Sequence, residues 1–156
     1  MLEKPTIHFV SAAFRPEHPP HHKLYFSQMA DASNRAAAMA RVERVFELFG
    51  ITGATRDGWR DLHEPTVGFG EPTFFVSTSF TGDELSPSFK IDYPNVSGVR
   101  AAEWQPRSRR PTVMLEIDRL CTRAGIRALS FLGVRFAPDA TAPTIKYYAD
   151  VPIAAP

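Results

Sequence analysis

Leu129-Ser-Phe-Leu-Gly-Val-Arg-Phe136, followed after a polar stretch by Thr144-Ile-Lys-Tyr-Tyr148, is the stretch whose reading decides the fold. Both pieces are rich in β-branched and aromatic residues, which suit strands. Two other segments repeat the plan: Thr6-Ile-His-Phe-Val-Ser-Ala-Ala-Phe14 before Lys23-Leu-Tyr25, and Thr73-Phe-Phe-Val-Ser-Thr-Ser-Phe80 before Lys90-Ile-Asp92. In each, a Phe that closes one apolar run precedes a Lys by nine or ten residues, at 14 and 23, 80 and 90, 136 and 146. The Pro-bearing stretches 15–22, 81–89 and 137–145 read as hairpin connections. The repeat predicts three antiparallel strand pairs, at about 5–28, 70–95 and 127–152, within a single domain spanning 1–156.

The segments between the pairs carry helical periodicity. Within Asp31–Phe49, Ala38, Val42, Val45, Phe46 and Phe49 share one face, the run is rich in Ala, and Gly50 suits a left-handed C-terminal cap. Pro111–Ala124 starts with a proline suited to the first turn, buries Val113, Met114, Ile117, Leu120, Cys121 and Ala124, and ends at Gly125. Residues 57–63 and 99–104 are expected to form only a turn or two of helix. The fold class is therefore α+β, with ββα repeats alternating strand pairs and helices.

Strand side chains alternate between faces, so aligning the repeats sorts them. Val10, Ala12 and Phe14 align with Val76, Thr78 and Phe80, and with Leu132, Val134 and Phe136, as the face that receives the helices. The opposite face carries Phe9, Ser11 and Ala13, then Phe75, Ser77 and Ser79, then Phe131, Gly133 and Arg135. On the second strands Lys23 and Tyr25, Lys90 and Asp92, and Lys146 and Tyr148 lie two apart and share that face. Three lysines among aromatic rings suit an anion joined to an apolar or aromatic group; a solvated strand face with edge lysines is the plainer alternative.

Paired strands such as Leu129–Phe136 and Thr144–Tyr148, alternating with helices and carrying Lys-x-Tyr, resemble the aromatic prenyltransferases of the PT-barrel family. The resemblance implies a PT-barrel-like sheet or small barrel with helices outside, built from helix-helix-strand-strand units. It implies transfer of a short isoprenoid from an allylic diphosphate to an aromatic small-molecule acceptor. Lys23, Lys90, Arg135 and Lys146 would then hold the diphosphate, Phe75 and Phe131 would line the substrate, and Tyr25 and Tyr148 would screen the allyl cation. Asp92 stands where the other repeats have Tyr and would hold Mg²⁺ with the diphosphate, as in the family members that use magnesium; others do without it, so no cofactor is required. His8, Glu103 and Asp150 are the acidic or basic groups considered for proton acceptance. Three strand pairs are too few for a ten-stranded barrel, so a homodimer is expected to complete the lumen and protect the edges. A non-catalytic small-molecule-binding or assembly protein, and a lyase or cyclase acting on an aromatic natural product, are the alternatives.

Other function classes find little support. Eighteen Lys plus Arg against seventeen Asp plus Glu give a formal charge of +1, so neither nucleic acid nor membrane is an expected partner. The Arg119, Arg123 and Arg127 row is diluted by Glu116 and Asp118 and reads as a solvated helix face. His18, His21 and His22 lack a partner at diagnostic spacing, so no metal site is expected. The single cysteine, Cys121, excludes an internal disulfide and reads as a buried thiol, which with the absence of an apolar leader points to the cytoplasm. Trp59 and Trp104 are expected to pack under connecting segments.

Overall fold

The computed structural model describes residues 7–15, 18–29, 33–67 and 73–150. The expected repeat ends near 5–6, 70–72 and 151–152 and the helix start at Asp31 fall outside these residues, as do the side chains of His8, Phe9, Ala13, Phe14 and His18. The described chain runs β1 (Ile7–Arg15), β2 (His18–Met29), α1 (Arg35–Leu48), α2 (Ala54–Val67), β3 (Thr73–Thr81), β4 (Glu84–Val96), α3 (Gly98–Glu103), α4 (Arg110–Ala124), β5 (Leu129–Phe136) and β6 (Thr144–Tyr148). The strands form one six-stranded sheet in the order β1-β2-β3-β4-β5-β6, every neighbouring pair antiparallel. The α+β class and the three strand pairs are thus present. The sheet is open, with β1 and β6 as its edges, so the chain by itself does not close a barrel.

Each helical connection contains two helices rather than one. The second, α2, is a 14-residue helix where one or two turns were expected, and it contains Pro65. Composition hides it, since Gly58, Pro65 and several charged residues interrupt the apolar signal. Tertiary contacts supply the missing stability: Glu43 of α1 accepts hydrogen bonds from Arg56 and Arg60 of α2, and Trp59 is 1% exposed. After Pro65 the Thr66 hydroxyl donates to Leu62 O at 2.6 Å and accepts from Trp104 Nε1 at 3.1 Å.

The strands are longer than the Pro-rich intervals suggested. Residues 84–89 belong to β4, and β3 joins β4 through Gly82-Asp83 alone, with Gly82 at φ +59°. Pro87 fits because the β3/β4 register slips between Thr78 and Phe80, a bulge that asks nothing of a proline nitrogen. Likewise Pro19 and Pro20 lie within β2.

The core lies between the sheet and the helices. Phe46 of α1 sits 5.0 Å, centroid to centroid, from each of Trp59, Phe89 and Phe136. Three of the twelve phenylalanines form this cluster with Trp59, and it packs α1 onto β4 and β5. Gly50 and Gly125 adopt φ +65° and +68° just past their helices, as their cap positions require. Cys121 is buried on α4, whereas Met114 and Leu120, expected in its buried stripe, are both 40% exposed. Only the row of Val113, Ile117, Cys121 and Ala124 meets the core. The other correction concerns β1: Val10 is 56% exposed, because the helix pairs cover the later strands and leave this edge bare. Among the described residues no helix is long and apolar enough to cross a membrane.

Candidate functional site

The helix-free face of the sheet gathers the residues that the repeat singled out. Register brings them together: Lys23 pairs with Ser79, Tyr25 with Ser77, Ser77 with Lys90, and Lys90 with Arg135. One step along, Phe75 pairs with Asp92, Asp92 with Gly133, and Gly133 with Lys146. Phe131 pairs with Tyr148. A cavity of about 260 Å³ is lined by Lys23, Tyr25, Phe75, Lys90, Asp92, Phe131 and Tyr148. A second, of about 250 Å³, shares Lys23, Lys90 and Tyr148 with it and adds Arg135 and Lys146. All nine candidate residues therefore line one continuous region.

Small side chains make the convergence possible. Between Lys23 on β2 and Lys90 on β4, strand β3 presents Ser77 and Ser79, whose small side chains leave room for both lysines to line the same cavity. Gly133 does the same on the other side. A Cβ there would stand 2.9 Å from Asp92 Oδ1, 3.1 Å from Tyr148 Cε2 and 3.4 Å from Lys90 Cδ, so only glycine leaves the ion pair and ring in place. Sequence reading placed Gly133 and the serines on the correct face without giving them a role. A glycine inside an otherwise apolar strand was the available signal.

Lys90 Nζ meets Asp92 Oδ1 at 2.7 Å, with the two side chains 13% and 8% exposed. Lys90 also lies over the Tyr148 ring at 5.3 Å, and Lys23 over Tyr25 at 5.4 Å, both cation–π contacts. Burial opposes the charge of Lys90, but the hydrogen bond and charge of Asp92 outweigh it and hold this lysine above its ordinary pKa. Burial pushes the Asp92 carboxyl up against the pull of Lys90 and Lys23. Burial, then the Lys90 ammonium, draw Lys23 below the ordinary lysine value. Arg135 Nε donates to Ser88 Oγ at 2.9 Å, which fixes the guanidinium at the cavity rim. Four basic side chains, Lys23, Lys90, Arg135 and Lys146, gather around one carboxylate, so basic groups are in excess in this region.

The sequence holds four lysines and fourteen arginines, and three of the lysines line this one region. Apart from Lys4, positive side chains elsewhere in the sequence are arginine, so the lysines are concentrated in this region. Among the described residues Asp92 Oδ2, Ser77 Oγ and Thr78 Oγ1 are buried without a hydrogen-bond partner, the first two on this face of the sheet. The donor set does not fit a protein-held Mg²⁺. The one carboxylate has an oxygen committed to Lys90, and three further cations surround it.

The other candidates lie elsewhere. Glu103 pairs with Arg100 on α3, on the helix side, and the backbone N–H of Asp150 donates to Ser130 Oγ; neither lines the cavities. His21 meets Thr81 Oγ1 at 3.2 Å, and strand alternation turns His22 to the other face, so the two do not converge. Trp59 and Trp104 are core residues. No family model, no curated protein and no solved structure matches the chain.

Proposed function

We propose that this region binds an allylic isoprenyl diphosphate and that the protein transfers its short isoprenoid to an aromatic small molecule. The observation that carries the reading is the meeting of Lys23, Lys90, Arg135 and Lys146 with Tyr25, Phe75, Phe131 and Tyr148 on one face. The paired helices in each connection fit the helix-helix-strand-strand unit of PT-barrel enzymes, which the sequence resembles. As the carbon–oxygen bond of the donor breaks, both electrons leave with the diphosphate, and the cations stabilise that charge. The π faces of Tyr25 and Tyr148 shield the allyl cation until an electron-rich ring attacks it and then loses a proton. Asp92 acts by holding Lys90.

A second copy of the chain is proposed to pair along the exposed sheet edges and wall off the region, where Phe131 and Tyr148 remain 37% and 39% exposed. That exposure also favours a second reading, a non-catalytic binding or assembly protein using the same face. Calorimetry with an unreactive thio analogue of the allylic diphosphate tests the first reading. Binding is expected, with Lys90→Ala and Lys146→Ala each weakening it about 10- to 100-fold, the worth of one charged hydrogen bond. A wild-type protein that binds neither the analogue nor pyrophosphate defeats the reading. Mass spectrometry after incubation with donor and aromatic acceptors separates transfer from mere binding, and from lyase or cyclase chemistry.

A further inference from the structure

The two neighbouring lysines on β2 and β4 are not equivalent. Asp92 holds Lys90 as an ammonium through a 2.7 Å contact, and Lys23 lines the same cavity with no ion pair to a carboxylate among the described residues. Of the two amines Lys23 is therefore the one that gives up its proton more readily. Its pKa is displaced in the same direction. Arginine would serve a purely electrostatic role at least as well and is this chain's usual cation, yet lysine stands at positions 23, 90 and 146. The feature that lysine adds is an amine able to lose its proton and act as a nucleophile.

We propose that Lys23 is a carbonyl-capturing amine that condenses with an anionic aromatic aldehyde to form a covalent imine, with Lys90 as proton donor. The ligand class follows from the walls. Arg135 and Lys146 take a carboxylate or phosphate, and Tyr25, Phe75, Phe131 and Tyr148 take the conjugated ring. The Lys23 nitrogen attacks the carbonyl carbon, and the displaced C=O electron pair takes a proton to give a carbinolamine. That hydroxyl then leaves as water while nitrogen forms the C=N bond. One neutral amine, one aldehyde and the Lys90 proton give one iminium, one water and a neutral Lys90. Asp92, within electrostatic reach of Lys23, faces the new cation. The remaining ionisable groups around Lys23 are Tyr25 and His21 on its own strand, Arg135 on β5, and Lys146 and Tyr148 on β6. Of these, the Lys146 ammonium further disfavours a proton on Lys23. This chemistry does not depend on the prenyl-transfer reading.

The test is reductive trapping of the full-length protein with 4-formylbenzoate and cyanoborohydride at neutral pH, with the modified residue found by peptide mapping. The four lysines make the assignment clean, and Lys4 reports non-specific labelling. Lys23 is expected to label at least about tenfold faster than Lys4, from its free lone pair and the adjacent proton donor. Unfolding in urea abolishes that preference. Lys23→Arg, which keeps the charge, removes the fast label, and Asp92→Asn divides it between positions 23 and 90 because nothing then fixes which amine is the ammonium. Labelling of Lys23 at the rate of Lys4, or faster labelling of Lys90 than Lys23 in the unmutated chain, overturns the proposal. Fast labelling of Lys23 that excess pyrophosphate does not slow supports it and counts against the diphosphate reading, so the two fail separately.

Discussion

Asp92 and Tyr93 are neighbours on β4, both buried, and they point to opposite faces of the sheet. On the helix side, Trp59 Nε1 donates to Tyr93 Oη at 3.2 Å, and the Tyr93 hydroxyl shares a hydrogen bond with His63 Nδ1 at 2.8 Å, inside a shell formed by Phe74 and Trp104. On the other side, Asp92 meets a cation yet keeps Oδ2 without a partner, and cations outnumber the carboxylate. Both faces bury polar groups. On the helix side the Trp59, Tyr93 and His63 groups satisfy one another, and only Thr78 Oγ1 among the described residues of that face is buried without a partner; on the other side Asp92 Oδ2 and Ser77 Oγ lack one and basic groups outnumber the carboxylate.

The largest effect that would sharpen this contrast is on the structural side. Phe46→Ala removes the ring shared by Trp59, Phe89 and Phe136 and should cost roughly 3–5 kcal/mol of stability, read by urea unfolding. Pyrophosphate affinity of the folded protein should stay unchanged; a matching loss of affinity would show that the two faces are not separable.

Acid comes next. Burial, with a contribution from Arg35, lowers the His63 pKa to about 4 from 6.5. The folded state thus binds fewer protons than the unfolded chain between these values. Stability from this group is complete above pH 6.5 and declines as pH falls to about 4, by up to about 3 kcal/mol. Unfolding free energies measured across that window, for wild type and for His63→Phe, should show a shallower pH slope in the variant. Identical slopes would remove His63 from the account.

The smallest effect lies on the ligand side. Gly133→Ala should change stability by no more than about 1 kcal/mol, since the crowding it introduces falls on side chains and alanine suits a strand better than glycine. The added methyl meets Asp92 and Tyr148, separates Lys90 from its carboxylate and weakens pyrophosphate binding several-fold. If affinity holds while stability falls, Gly133 serves packing alone.

The site residues were legible because period-two alternation and a threefold repeat are local properties of the chain. They were enough to place Lys23, Lys90 and Lys146 on one face. What escaped was everything that depends on neighbouring strands. The Lys90–Asp92 pair is local in sequence, but the room it occupies follows from Gly133 on β5, and the cavity it shares with Lys23 follows from serines on β3. Helix α2 escaped for the same reason, since its stability comes from Glu43 of α1 and the burial of Trp59.

The sequence by itself determined the α+β class, the three strand pairs, the two capped helices and the composition of each face, because side-chain period and cap chemistry act within a few residues. Only the tertiary structure decided that the sheet stays open, that β1 is left uncovered, and which lysine is paired. Those outcomes rest on register, burial and electrostatic coupling between segments up to a hundred residues apart.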